Sequence, residues 1–415
     1  FGSRIFTLQA NLLVMRALLL GVATAVGDFS APRFTVDLDK SAYDRWVPVA
    51  EEIIAKRGYQ YTWGPLHAWL ESLLPRKVWE ELEPLWERVL KSYPADYQDE
   101  SRAFNKWCTE KGYNWTLGQN VMVQLFYEVE DACTSIVAQH SNGTIFHGRN
   151  LDYGLPGLEN FTATVTFTRN ATAVARGTMY VGYSGVLTGQ HLTPDGSASW
   201  SLSLNQRFLG QQVIPYIPTV EAFLKGVQNI GFTMRDALIN EPDYATALPV
   251  VQNKHIAAPA YLTIAGVKPG EGAVVTRDRN GTSQAWNTGR GTWEIAPEKG
   301  QWYRLETNFD NWWPDLATDG RRKAAHKLMD TAGQDHADLE TLRSTLSTSP
   351  VLADDTTYTA LMHNEAGWYD TIVREHPADV QREVRALMTK RVAKKLEDLV
   401  SWYRQQPWYA GAVLV

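Results

Sequence analysis

Cys133-Thr-Ser-Ile-Val-Ala-Gln-His-Ser-Asn-Gly-Thr-Ile-Phe-His-Gly-Arg-Asn-Leu-Asp-Tyr153 reads as a β-hairpin that carries reactive groups on both arms. Val, Ile, Thr and Phe fill the arms, and Asn142-Gly143 sits between them. Asn-Gly between such runs is the strongest short-range hairpin signal, because both turn residues accept positive φ. With these two as the turn, Ser141 pairs with Thr144 and Cys133 falls opposite Asp152. Arg149 lies three residues earlier on the returning arm. A thiol, a guanidinium and a carboxylate then converge at one end of the hairpin. A nearby cation lowers a thiol pKa, and a carboxylate orients both the cation and an amine.

Outward from the hairpin, the pattern changes from helix to strand and back. Residues 40 to 130 read as helical. Leu66, Trp69, Leu70, Leu73 and Leu74 follow helical spacing after Trp63, and Val78, Leu82, Leu85 and Val89 resume it after Pro75. Such stripes are core contacts or an apolar face for lipid. From Cys133 to about Thr188 the pattern is strand-like. Val213 to Leu248 reads as helix, Tyr261 to Val275 and Trp302 to Asn308 as strands, and Lys323 to Leu346 as helix again. This succession fits an α+β fold of packed layers. Val380, Val384, Leu387, Met388, Val392, Leu396 and Val400 form an amphipathic stripe interleaved with Lys and Arg. Its readings are a helix docked on the body or a surface helix that meets anionic lipid or a partner.

The net charge is −6 and the pI about 5.9, which argues against nucleic acid as a partner. There are 16 Trp and 18 Tyr, enough for a Trp-rich core or for an apolar substrate or membrane face. The two cysteines, Cys108 and Cys133, allow a disulfide, but a nucleophilic Cys133 must stay free. No Cys/His spacing suggests zinc, and no metal or cofactor is expected. Residues 12–27 are apolar around Arg16 and read as a compact signal peptide or a buried N-terminal helix. Asn114, Asn142, Asn160, Asn170 and Asn280 each begin Asn-x-Thr. Five acceptor motifs beside a signal-like segment favour the secretory route.

Cys-Thr-Ser-Ile-Val-Ala followed by His-Gly-Arg-Asn-Leu-Asp-Tyr resembles the start of the mature subunit in the acid ceramidase and N-acylethanolamine-hydrolysing acid amidase family. Further blocks resemble the same family: Gly182-Tyr183-Ser184-Gly185-Val186-Leu187-Thr188-Gly189, Ala258-Pro259-Ala260-Tyr261, Gly270 to Arg277, Glu306 to Asp310, and Asp319-Gly320-Arg321-Arg322. Ala31-Pro32-Arg33-Phe34 resembles the start of its small subunit. The resemblance covers about residues 31 to 375.

These are N-terminal-nucleophile hydrolases, so the resemblance implies a four-layer αββα sandwich. The implied organisation is a signal-like segment at 1–30, a helical small subunit at 31–132, a catalytic subunit at 133–375 and a helical extension at 376–415. A cut between Ala132 and Cys133 would free the Cys133 amine as the base and leave an α/β heterodimer of the two pieces. Glu130 and Asp131 beside the junction are triggers at low pH or solvated charges. By the family pattern Cys133 is the nucleophile, Arg149 lies near thiolate and substrate, and Asp152 holds the α-amine. Asn308 supplies an N–H to the oxyanion and Arg321 completes the network. Tyr153, Tyr183 and Gln206 line the substrate site. Gln206 departs from the family, which usually has Glu there. The implied residence is the lysosome, with transient contact to an anionic lipid surface.

The short segment between Tyr153 and Phe161, with Leu151-Asp-Tyr and Leu187-Thr-Gly-Gln190, is closer to the N-acylethanolamine branch. The expected substrates are fatty acid ethanolamides, with ceramide second. If maturation fails, a lipid-binding protein without turnover is the alternative. A Cys133/His147 hydrolase is disfavoured because the hairpin count puts His147 opposite Ala138. A serine hydrolase is disfavoured because Gly182-Tyr-Ser-Gly lacks the full GxSxG spacing.

Overall fold

The computed structural model describes residues 27–125, 132–208, 216–283, 291–314 and 319–409. The signal-like run up to residue 26 and the acidic junction Glu130-Asp131 lie outside the described residues.

Among the described residues, five helices fill the first part of the chain: α1 (Ala42–Arg57), α2 (Trp63–Leu73), α3 (Arg76–Lys91), α4 (Ala95–Glu110) and α5 (Leu117–Leu125). Pro75 ends the first stripe and serves as the N-cap of α3, as its fixed φ favours. Trp63, Leu66, Trp69, Leu70, Leu82, Leu85 and Val89 are all buried. Each such side chain contributes on the order of 1.5–3 kcal/mol when removed from water. Of the two readings for this stripe, the core reading therefore holds: Trp63, Trp69 and Leu70 are not available to lipid. The indole N–H groups are also used, Trp63 to the Val181 carbonyl at 2.9 Å and Trp69 to Thr389 Oγ1 at 2.8 Å.

Two short strands precede these helices, β1 (Phe29–Ser30) and β2 (Arg33–Asp37). After them come β3 (Ala132–Gln139), β4 (Ile145–Asp152), a single helical turn α6 (Leu158–Phe161), β5 (Thr162–Arg169), β6 (Thr172–Tyr180), β7 (Thr188–Leu192) and β8 (Ala198–Gln206). Helices α7 (Tyr216–Leu224), α8 (Ile230–Asn240) and α9 (Tyr244–Asn253) lead to β9 (Ala260–Ala265), β10 (Gly272–Asp278), β11 (Gly281–Thr282), β12 (Thr292–Glu294) and β13 (Tyr303–Glu306). The chain then runs through α10 (Arg321–Ala332), α11 (Leu339–Leu346), β14 (Thr356–His363), β15 (Trp368–Val373) and α12 (Ala378–Arg404).

The strands form two sheets. One has the order β1-β15-β14-β4-β3-β13, and the other runs β11-β10-β9-β8-β7-β6-β5-β2 with β12 also on β10. Ile136 and Ala138 on one face of β3 pack with Ala325, Met329, Leu342 and Leu346 of α10 and α11. The opposite face of β3 meets β8 and β9. Helices α8 and α9 cover the outside of the second sheet. The order helix, sheet, sheet, helix is the expected αββα sandwich. Both β1 and β2 come from before residue 132 and join the sheets, β1 beside β15 and β2 parallel to β5.

The hairpin forms, but in a different register. Its loop has three residues, Ser141-Asn142-Gly143, closed by His140 N–H to the Thr144 carbonyl at 2.9 Å. Gly143 takes the left-handed conformation at φ 97°, as three-residue loops of this kind require. Relative to a two-residue turn, pairing slips by one. Cys133 therefore sits opposite Leu151, and Asp152 opposite Ala132. Because side chains alternate, the slip puts Asp152 on the face away from the thiol.

Strands β14 and β15 are not anticipated by the hydrophobic pattern, and β14 lies directly beside β4. At the other end, α12 docks on α2, α3 and α7 through Met388, Val392, Leu396, Leu399, Val400 and Tyr403. Leu387, expected on the buried stripe, is 57% exposed. Within the described residues no helix is long and apolar enough to cross a membrane.

Candidate active site

Cys133, one residue into β3, is fully buried and outside any disulfide, as is Cys108 in α4. Three polar groups hold it. Its N–H donates to Asn308 Oδ1 at 2.9 Å, its sulfur accepts from Arg149 Nη2 at 3.1 Å, and its carbonyl accepts from Arg321 Nη1 at 3.0 Å. Arg149, Asn308 and Arg321 bond Cys133 directly, whereas Asp152, expected to hold the Cys133 nitrogen, bonds Arg321, and that nitrogen goes to Asn308. Arg149 reaches the sulfur because it pairs with Ser135 on β3 and so shares the Cys133 face. Its other bonds go to the Leu204 carbonyl at 2.5 Å and to Tyr358 Oη at 2.9 Å. A guanidinium donor at sulfur stabilises the thiolate relative to the thiol.

Asn308 lies just beyond β13, and its Nδ2 donates to the Gln206 carbonyl at 2.9 Å. Arg321 opens α10. It donates to Asn308 Oδ1 at 2.9 Å, to Asp152 Oδ2 at 3.0 Å and to both oxygens of Asp319. Asp152 also accepts from Thr356 Oγ1 at 2.6 Å. Burial, with Asp355 nearby, pushes the Asp152 carboxyl up to about 7 against the pull of Arg321. Burial works against the Arg321 charge, yet Asp319 and Asp152 keep it protonated.

Tyr153 is buried and lines a cleft beyond the open end of the hairpin. Tyr183 hydrogen-bonds Asn229 at 3.1 Å and stacks on Tyr180, whose ring lies 6.3 Å from that of Tyr153. An aromatic row thus links it to the site. Gln206 is buried at the end of β8. His147 is opposite Val137 rather than Ala138, bonded to Ser201 and Ser203, and pushed down to about 3 by burial and by the Arg149 charge. It remains neutral and lies well along the hairpin from the thiol, which removes the Cys/His alternative.

Sequence reasoning missed four supports of this site: Tyr358 and Thr356 on β14, Asp319, and Asn205, which bonds Ser135 at 2.6 Å. The run Thr356-Thr-Tyr-Thr-Ala-Leu-Met-His363 carries the β-branched and aromatic enrichment of a strand, and this was the signal available.

No family model matches the chain. It is 32% identical over 354 residues to the N-acylethanolamine-hydrolyzing acid amidase of Rattus norvegicus, covering 85% of this chain and 91% of that protein. The chain belongs to the acid ceramidase and N-acylethanolamine-hydrolysing acid amidase family. The acid ceramidase of Homo sapiens is 29% identical over 372 residues, 84% of this chain and 87% of that one. A solved structure of the Caenorhabditis elegans N-acylethanolamine-hydrolyzing acid amidase ortholog superposes with a TM-score of 0.51 at 33% identity. It covers 59% of this chain and all of its own. This family member is an amide hydrolase with the N-terminal-nucleophile fold.

Proposed function

We propose that the chain is a self-processing cysteine amidase that releases a fatty acid from N-acylethanolamines. The observation that carries this reading is the threefold hold on Cys133, with Arg149 at its sulfur and Asn308 at its backbone N–H. In the intact chain that N–H belongs to the Ala132–Cys133 amide. The Cys133 sulfur attacks the Ala132 carbonyl and the peptide nitrogen leaves as the Cys133 amine. Water then hydrolyses the Ala132 thioester. The new amine stays beside Asn308 Oδ1 and takes the thiol proton in each turnover. The thiolate attacks the substrate carbonyl, the amine product leaves with the proton, and water cleaves the acyl thioester.

In this reading Asn308 and Arg321 stabilise the oxyanion and orient the backbone around it. A preorganised donor of this kind is worth about 3 kcal/mol. Tyr153 and Gln206 border the substrate, with Tyr183 behind Tyr153. The two pieces, 31–132 and 133–375, remain together as a heterodimer, and 376–415 stays on the second. Residence in the secretory pathway and lysosome completes the proposal, supported by four exposed sequon asparagines, Asn114, Asn142, Asn170 and Asn280. Transient contact with an anionic lipid surface is supported by the outer face of α12, where exposed Lys390, Arg391 and Lys394 surround Leu387. Ceramide is the second substrate class, since relatives bearing both names are similarly close.

The test is to hold purified protein at mildly acidic pH and follow intact mass with N-terminal sequencing. A fragment that begins at Cys133, absent from Cys133→Ala, accompanied by hydrolysis of palmitoylethanolamide, is the expected result. A chain that never splits and binds lipid without turnover would replace this reading with the lipid-binding one.

A further inference from the structure

Asn308 stands two residues beyond the last rung of β13 on β3, where Glu306 pairs with Ser135. Counting that register on by two brings Asn308 level with Cys133, but the paired ladder has already ended. Much of what holds Asn308 comes instead from the second sheet. Residues 206, 207 and 208, at and just past the end of β8, each grip the 308–310 segment. The Gln206 carbonyl accepts from Asn308 Nδ2 at 2.9 Å, and the Phe208 N–H donates to the Asn308 carbonyl at 2.9 Å. Between them the Arg207 guanidinium forks onto Asp310, Nε to Oδ1 at 2.6 Å and Nη2 to Oδ2 at 3.0 Å. The rings of Phe208 and Phe309 lie 5.4 Å apart, centroid to centroid.

The fork is itself anchored in the second sheet. Arg207 Nη1 donates to Asp278 Oδ1 at 2.7 Å and to the Arg277 carbonyl at 3.2 Å, both at the end of β10. Tyr261 Oη on β9 donates to Asp310 Oδ1 at 2.7 Å. Arg207 and Asp310 are both buried. Burial works against the Arg207 charge, yet Asp310, with Asp278 further out, keeps it protonated. A bidentate guanidinium–carboxylate pair fixes direction as well as distance. The pair therefore passes the position of β8, β9 and β10 to the segment that carries Asn308.

A planar carboxamide held through one of its N–H groups directs the second one too. The grip on Asn308 thus sets where its donor points when charge develops on a substrate oxygen. We propose that the Arg207–Asp310 pair is a positioning device for the Asn308 carboxamide, fixing it beside Cys133 across the two sheets. The proposal rests on the amidase reading above and adds two residues that act through Asn308.

The test uses Arg207→Lys and Asp310→Asn, each alone and combined with Asn308→Ala. Arg207→Lys keeps the charge and loses the planar fork. Asp310→Asn keeps an oxygen for Tyr261 and puts an amino group where Arg207 needs an acceptor, while Asp278 still faces the guanidinium. Thermal melting confirms folding, and hydrolysis of palmitoylethanolamide is normalised to the amount of Cys133 terminus. Each single substitution is expected to lower kcat by about tenfold with KM little changed, part of the loss that a misplacement of about 1 Å can bring. In the Asn308→Ala background the same substitutions are expected to cost nothing further, since the group they position is gone.

Equal losses with and without Asn308 overturn the proposal, because a merely structural pair would lower activity in both backgrounds. No loss in folded single variants overturns it as well. If the wild type cleaves no amide, the amidase reading falls, and hydrogen exchange read by mass spectrometry decides the pair. Variants that never free the Cys133 terminus are judged in the same way. A Phe208 amide that exchanges faster in both variants than in the wild type keeps the positioning role, and an unchanged one removes it.

Discussion

Asn308 Oδ1 accepts two hydrogen bonds at 2.9 Å, from the Cys133 N–H and from Arg321 Nη2, while its Nδ2 donates to the Gln206 carbonyl. Donors on one side and an acceptor on the other leave one orientation of the carboxamide that satisfies all three. Asn308→Asp keeps the acceptor and loses the donor, so it separates holding the Cys133 nitrogen from stabilising the oxyanion. Both Asn308→Asp and Asn308→Ala are expected to lower kcat by about 10²–10³ with little change in KM. Only Asn308→Ala is expected to slow the appearance of the Cys133 terminus as well. Steady-state kinetics and time-resolved intact mass check this.

Glu306 is buried beside Arg322 in β13, and burial pushes its carboxyl up to about 8. Asp152 is also raised, to about 7. Folded carboxyls with raised pKa bind more protons than the unfolded chain between their ordinary values and these. Their contribution to stability is therefore full below pH 4 and is lost as pH rises towards 7–8. The melting temperature is expected to fall by several degrees from pH 5 to pH 8. Glu306→Gln is expected to flatten this slope, which calorimetry across pH checks.

Glu100 in α4 and Arg235 in α8 form a bidentate pair with bonds of 2.6 and 2.8 Å, both side chains almost fully buried. This pair joins the helical segment to the body that follows Cys133. Glu100→Ala leaves the Arg235 charge buried without its carboxylate, a loss of about 3–5 kcal/mol. The expected outcome is a lower melting temperature and, once the chain is cut, dissociation of the two pieces on size exclusion. A double replacement by Leu and Met is expected to recover much of the loss.

Gln206, where the resemblance leads one to expect Glu, is buried at the end of β8. Gln206→Glu introduces a carboxyl that burial disfavours in its charged form. Self-cleavage and turnover are expected to gain a new titration and to decline as that group ionises. The wild type lacks this limb, and pH profiles of both proteins decide the point.

Asn160 differs from the other four sequon asparagines. It is half-buried, with Oδ1 bound by Arg57 at 2.9 Å and Nδ2 bound to Glu159 at 3.1 Å. Glycans are expected at Asn114, Asn142, Asn170 and Asn280 and absent from Asn160. Peptide mapping after enzymatic deglycosylation reads this directly.

Much of the site was legible from residue types alone. Cys133, Arg149 and Asp152 lie within one hairpin, but its register decides that Arg149 shares the Cys133 face and that Asp152 does not. Asn308 and Arg321 were legible only through motifs, since their approach to Cys133 depends on β13 pairing with β3 and on α10 starting at the edge of that pair. Tyr358 and Thr356 escaped notice because β14 is buried on both faces, which removes the period-two signal that marks a half-exposed strand.

The hairpin's existence, the helical first segment and the succession of elements were written in the sequence, because they depend on turn residues and hydrophobic period. The register was not. Ser141-Asn142-Gly143 admits a two- or a three-residue loop on local grounds, and packing between the sheets selects the one that sets Leu151, Arg149 and His147 of β4 beside Cys133, Ser135 and Val137 of β3. The same holds for α12. Its stripe predicted an apolar face, but only the assembled core, with Trp69 reaching Thr389 and Val384 meeting Gly154, decided where that face lies. Local chemistry sets what each segment can form, and the free energy of close packing between distant segments chooses among the options.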